Sequence, residues 1–115
     1  MRRALSRAGG FRVAAGALGL MLAGPASASD AKKLAYGRHL SGECSACHRI
    51  DGTDNGIPSI TGWDPEEFVA TMIFYRNGER NNPAMVSVAQ SLEDDQMAAL
   101  AAYYGSLPKP TRAKK

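Results

Sequence analysis

Two cysteines and a histidine stand together in the segment Cys44-Ser45-Ala46-Cys47-His48. Thiols at this spacing can each add to one vinyl group of a single porphyrin, and the imidazole that follows then lies under the ring, where it can bind iron. The pattern C-x-x-C-H is typical of covalent haem attachment. It therefore predicts one haem c bound covalently through Cys44 and Cys47, with His48 as a ligand of its iron.

Three other interpretations of the motif involve different chemistry. A C-x-x-C redox pair belongs in a thioredoxin-like βαβ unit, and the sequence offers no such setting. A zinc site needs four ligands, and the only further histidine is His39. A structural disulfide between the two cysteines would not explain why a histidine, His48, directly follows the second of them. Haem attachment is the favoured interpretation because it uses all three side chains.

Apolar residues recur at helical spacing in four stretches after residue 29, and no useful strand alternation is present. Asp30 is expected to cap the first helix, and Asp64-Pro65 is a start signal for the second, which Asn77-Gly78 should end. Gly105 and Pro108 are expected to end the last helix. The predicted helices cover about residues 30–43, 65–76, 86–90 and 94–104.

Two segments rich in Gly, Asp, Asn and Pro, residues 49–63 and 79–85, are expected to be loops. Loops this long in so small a chain usually wrap around something. The sequence therefore predicts an all-α single domain whose loops enclose a bound group.

The first 28 residues resemble a signal peptide. Four arginines precede a short apolar run, Val13 to Ala23, and Ala26-Ser27-Ala28 matches a signal peptidase site. The run is shorter than the roughly 20 apolar residues of a spanning helix. We expect cleavage after Ala28 and export to the periplasm, with an uncleaved N-terminal anchor as the alternative.

The positive charge of the chain is concentrated in its two ends. The whole sequence has 14 basic and 11 acidic residues, but residues 30–108 contain only six of the basic residues and all 11 acidic ones. Four further basic residues lie in 109–115, which is expected to be a flexible tail. A nucleic-acid partner is not expected, because the folded part of the chain is acidic.

Gly37 and Leu40 precede the motif, and the segments 58–62 and 100–108 follow it. Together with the motif, these residues resemble a class I cytochrome c of the small bacterial type, monohaem and electron-carrying. This resemblance implies a fold of about four helices around one covalent haem, so that residues 29–108 would be the cytochrome c domain. The segments 64–72 and 78–79 are similar to the haem subunit of flavocytochrome c sulfide dehydrogenase. Arg49 departs from the family, which commonly has glycine there.

The resemblance also implies roles for single residues. Gly37 should mark the crossing of the first and last helices, where Leu100 and Tyr103 or Tyr104 approach. The carbonyl of Pro58 should accept a hydrogen bond from His48 and thereby fix the tautomer of the imidazole. The indole N–H of Trp63 is a candidate donor to a haem propionate, although Trp63 could equally be a half-buried loop aromatic.

Met85 is the expected second iron ligand. It lies in a polar segment 37 residues after His48, at the ligand position of the family, whereas Met72 and Met97 lie on apolar helix stripes that favour core packing. Met85 could instead pack on the haem edge, and His39 could provide bis-histidine ligation. A histidine and methionine pair raises the reduction potential and leaves no open position on the iron.

The function implied is outer-sphere electron transfer by a periplasmic carrier, not catalysis. The expected partners are redox proteins, namely a flavoprotein sulfide dehydrogenase subunit as donor and another cytochrome or an oxidase as acceptor. A free soluble carrier is an alternative, and a haem enzyme or gas sensor would follow if Met85 were not bound. No stable membrane insertion is expected.

Overall fold

A computed structural model of the chain describes residues 26–110, together with residues 9, 10, 14–16 and 19. Most of the predicted signal peptide, and residues 111–115 of the predicted tail, lie outside the described residues. Within them the fold is all-α, as predicted, and contains no strand. The four helices are α1 (Ala26–Ser45), α2 (Pro65–Arg76), α3 (Pro83–Gln90) and α4 (Asp94–Ser106).

Helices α2 and α3 begin in the same way, with a capping side chain followed by proline. Asp64 Oδ1 accepts hydrogen bonds from two N–H groups of the first turn of α2, at 2.9 and 3.1 Å. Asn82 Oδ1 accepts one from the N–H of Met85 at 3.1 Å. The caps satisfy donors that have no partner within the helix, and proline has no N–H to satisfy. The start predicted for α2 is confirmed, but the loop predicted for 79–85 is wrong from Pro83 onward.

The ends of α1 and α4 also differ from the predictions. Helix α1 begins at Ala26, so Asp30 lies inside it and is not its cap, which corrects the predicted start. Alanine is the strongest helix former, and the segment before Asp30 contains it at positions 26 and 28. Helix α4 passes through Gly105 to Ser106 and ends only where Leu107 becomes extended. Proline disfavours helical backbone at the residue before it, so Pro108 rather than Gly105 ends α4.

Helix α4 packs on both α1 and α2, and α3 packs on α2. The crossing of α1 and α4 lies at Gly37, as the resemblance implied. A side chain there would have its Cβ 2.8 Å from Tyr103 Cβ and 2.7 Å from the carbonyl carbon of Ala99. The absence of a side chain at Gly37 therefore sets how closely the two helices approach.

Gly37→Ala should lower the free energy of unfolding by about 1–3 kcal/mol, because the new methyl group meets helix backbone that cannot move aside. Gly42→Ala on the same helix is the matched control, since nothing lies within 4 Å of its Cβ position. Alanine should stabilise that exposed position by about 0.5–1 kcal/mol. Denaturant titration of both variants measures the difference, and equal effects of the two substitutions would contradict the close crossing.

The core lies where α2 and α4 face each other. The rings of Phe68 and Tyr104 stack with their centroids 5.9 Å apart, and Met97 and Leu100 are each 1% exposed. Burial raises the pKa of Tyr104 to about 12, and its hydroxyl donates to the carbonyl of Ser41 at 3.4 Å. Met97 and the buried Met72 thus have the packing positions predicted for them.

No helix in the described part of the chain has both the length and the hydropathy needed to cross a membrane.

Candidate haem site

All five residues predicted for the site line one cavity of about 510 Å³: Cys44, Cys47, His48, Pro58 and Met85. They come from the end of α1, the loop that follows it, and the first turn of α3. The volume falls within the range of about 300–1,000 Å³ that ligand and cofactor sites occupy. The structure therefore brings together residues that are up to 41 positions apart in the sequence.

The two cysteines are free thiols at the end of α1. The chain turns back after the helix because the N–H groups of Cys47 and His48 both donate to the carbonyl of Cys44, at 3.2 and 2.8 Å. Cys44 is partly buried and Cys47 is exposed. Burial raises the pKa of the Cys44 thiol.

The imidazole of His48 is held by the backbone of the following loop. Its Nδ1 lies 2.7 Å from the carbonyl oxygen of Pro58. Because a carbonyl oxygen only accepts, Nδ1 must carry the proton, and the lone pair is then on Nε2. This is the contact that the resemblance implied, and a partner of this kind orients a ligating histidine and makes it more basic.

Contacts stabilise this loop near both of its ends, within the loop at its start and with α4 at its end. Near its start, Arg49 forms an ion pair with Asp51 at 2.8 Å, and Thr53 donates its hydroxyl to the same carboxylate at 2.7 Å. These donors hold the pKa of Asp51 well below its usual range. Both charged side chains are about half exposed, so the pair adds little to stability. At the other end the N–H of Gly62 donates to the carbonyl of Tyr104 in α4 at 2.8 Å.

Met85 is a partly buried residue in the first turn of α3, rather than a loop residue. The cap from Asn82 uses its backbone N–H and thus fixes the turn from which its side chain projects. His39, the alternative second ligand, is an exposed residue of α1 that does not line the cavity. The position of Met85 is therefore the more suitable of the two for a ligand.

Sequence reasoning missed several polar residues of the cavity wall, and two of them lie in contact with each other. Arg80 and Tyr75 both line the cavity, and the guanidinium carbon of Arg80 lies 5.0 Å from the ring centroid of Tyr75. Trp63, whose propionate role was considered, also lines it and meets Phe68 edge to face at 6.4 Å. The signal for Arg80 was a cationic residue in the stretch 79–85, which the composition identified only as a loop, whereas Tyr75 lies near the end of the predicted second helix.

The residues of the cavity fit haem c. The wall is largely apolar, as a porphyrin requires, with Ile57, Ile60, Met72 and Leu100 among its members. Two free thiols lie on one part of the wall, and a nitrogen and a sulfur donor suited to iron line the same space.

Comparison with known proteins gives relatives of one kind, although no protein-family model matches the sequence. The cytochrome subunit of sulfide dehydrogenase from Chlorobaculum tepidum is 33% identical over 94 residues, which cover 79% of this chain and 86% of the relative. Cytochrome c-554(548) from Halomonas halodenitrificans is 36% identical over 77 residues, 63% of this chain and 93% of the relative. The thiosulfate dehydrogenase electron acceptor of Thiomonas intermedia is 37% identical over 81 residues, but this chain spans only 37% of its length.

These relatives and the four-helix fold define the class: the chain belongs to the small class I c-type cytochromes. It carries one covalent haem c and is an electron carrier, related to a cytochrome subunit of sulfide dehydrogenase and to electron acceptors of thiosulfate dehydrogenase.

Proposed function

We propose that this cytochrome carries electrons in the periplasm with its haem attached to Cys44 and Cys47 and its iron bound by His48 and Met85. One observation carries the proposal. The 2.7 Å contact between His48 Nδ1 and the Pro58 carbonyl leaves the lone pair of the imidazole on Nε2, in the residue that immediately follows the two thiols. A ligating histidine almost always donates its other ring N–H to a carboxylate, a backbone carbonyl or water, and this contact is of that kind.

Each of these residues has a separate task. The two cysteines fix the position of the porphyrin, and Pro58 holds the imidazole in one tautomer and one orientation. Met85 supplies a soft, neutral sulfur donor from a capped helical turn. The bound haem would supply a centre that gains and loses one electron, and ligands on both faces would leave no position for a substrate.

The polar residues of the wall are suited to the carboxylates of the haem. Trp63 has an indole N–H, Tyr75 a hydroxyl and Arg80 a guanidinium group, and all three line the cavity. Charged donors form the stronger hydrogen bonds to carboxylates. We assign Arg80 as the principal candidate to bind a propionate, with Trp63 as the second.

The proposed donor is a flavoprotein of the sulfide dehydrogenase type, which would bind this chain as its haem subunit. Support comes from the relative in Chlorobaculum tepidum, which matches over most of both chains and is by its name a cytochrome subunit of sulfide dehydrogenase. Residues 1–28 would be removed on export, so that the mature chain would start at Ser29.

Purification from the exported fraction of the native host tests partner and location together. The expected product is a red protein whose mass equals residues 29–115 plus one haem, bound to a flavoprotein. Added sulfide should then reduce the haem within the complex. The control is the cytochrome separated from the flavoprotein, in which reduction by the same sulfide concentration should be much slower.

Three results would change the proposal. Equal reduction rates with and without the flavoprotein would remove the proposed donor. Reduction that requires thiosulfate and its dehydrogenase would replace that donor with a different enzyme. A mass that includes residues 1–28 would mean an N-terminal anchor instead of a free periplasmic protein.

A further inference from the structure

Met85 lies in the segment that connects Arg76, the last residue of α2, to Leu92, shortly before α4. The segment consists of a loop, α3 and a short turn, with Met85 near its middle. Among the four helices, α3 packs chiefly on α2, and its Ala89 is fully buried in the core. The position of Met85 therefore depends on this packing and on how the two ends of the segment are held.

Arg76, the last residue of α2, joins the two ends. Its Nη2 donates to the carbonyl of Leu92 at 2.9 Å and lies 3.3 Å from Met97 Sδ, while its Nη1 donates to Asp94 Oδ1 at 2.7 Å. The side chain of Arg76 is only 29% exposed, whereas that of Asp94 is 89% exposed. One guanidinium thus closes the base of the segment by binding the residue at its far end.

We propose that Arg76 is a positioning residue that holds this segment closed and thereby keeps the Met85 sulfur on the iron. The inference rests on the proposed ligation by Met85. It assigns to Arg76 a role in ligand retention that is separate from the stability of the helical core.

The bond to the Leu92 carbonyl is the important one of the three. A hydrogen bond from a charged donor in a partly buried position contributes more than an exposed ion pair, and its loss leaves a carbonyl without its partner. The other ties of the segment are the packing of α3 on α2, the cap at Asn82, and the N–H groups of Glu79 and Arg80 on the carbonyl of Phe74. Without Arg76 the segment can swing open at its base while α1 and α4 remain packed.

Imidazole binding to the ferric protein measures this opening directly. At saturating imidazole the rate is limited by release of the methionine, which is followed through loss of the long-wavelength absorption band of thioether–iron ligation. Arg76→Gln should raise this rate about tenfold to a hundredfold, as expected for loss of a hydrogen bond to a charged group. Asp94→Asn keeps the bond to Leu92 and should change the rate about fivefold or less.

The matched control is Arg38→Gln, which makes the same chemical change at an exposed position of α1 and should leave the rate unchanged. Denaturant unfolding of each variant is measured in parallel. If Arg76→Gln is less stable but releases the methionine at the wild-type rate, Arg76 is only structural and the proposal is wrong.

Two further results separate the role of Arg76 from the ligation of iron by Met85. If the wild type shows the thioether band and Arg76→Gln does not raise the rate, the role of Arg76 is wrong while ligation by Met85 stands. If the wild type lacks the band, ligation by Met85 is wrong, and the proposed role of Arg76 is wrong with it. Should Arg76→Gln fail to fold, Arg76→Met, which has a long side chain and no donor for the Leu92 carbonyl, takes its place, and a release rate no higher than that of Asp94→Asn would overturn the proposal.

Discussion

Replacing Cys44 and Cys47 together by alanine should give a colourless chain that is largely unfolded. The cavity takes up about 510 Å³ beside the core, and several of its wall residues, including Phe68, Met72 and Leu100, belong to that core. Without the attached haem these side chains face water, and a domain of this size has little other apolar surface to bury. Mass spectrometry for covalent haem, far-ultraviolet circular dichroism and limited proteolysis measure the result.

Ser45→Ala is the control for this experiment. Ser45 stands between the two cysteines in sequence, is exposed, and donates its hydroxyl to the carbonyl of Ser41 one helical turn earlier. Its replacement should leave one covalent haem and a folded protein. A colourless double variant that keeps full helicity and resists protease would show that the core does not depend on haem.

Met85→Ala should abolish the thioether–iron absorption band and lower the reduction potential, while the haem stays attached. A thioether is soft and neutral and favours ferrous iron, whereas the water or hydroxide that replaces it favours ferric iron. Axial ligands set haem potentials over a range of about 0.8 V, so the shift should be large on that scale. Absorption spectroscopy and a redox titration of the purified variant measure both effects.

Met72→Leu and Met97→Leu are the matched controls, since both methionines are buried and Leu is close in volume. Each should keep the band and cost less than about 1.5 kcal/mol of stability. A band that survives Met85→Ala and vanishes in one of the leucine variants would move the distal ligand to that residue. If no variant and no wild-type sample shows the band, a haem enzyme or gas sensor with an open iron position becomes the better hypothesis.

The sequence predicted the number and type of helices, and it predicted their ends where a single local signal dominates. Asp64-Pro65 and Asn77-Gly78 bound α2 as expected. Asn82-Pro83 is the same start signal, but it was overlooked because its neighbours have loop composition. At the start of α1 the local signal was misleading, because Asp30 can cap a helix only if the residues before it are not already helical.

The candidate site was predictable to the extent that it depends on a motif. The five predicted residues gather in one cavity, while their roles as ligands and attachment points remain predictions. The partners of Arg76 were not predictable, because Leu92, Asp94 and Met97 approach it only after α2 and α4 have packed. Arg80 was missed for a related reason, since its place in the cavity wall depends on the fold of the segment around it.

The pairing of the first helix with the last also governs when the chain can fold. Helix α1 finds its helical packing partner in α4, and the hydrogen bond between Ser41 and Tyr104 joins residues 63 positions apart. During synthesis the surface around Gly37 therefore emerges long before the helix that covers it, and closing so long a loop is slow compared with forming a helix. The chain should remain open at least until α4 is available to pack, and Cys44 and Cys47 should be accessible for haem attachment throughout that interval.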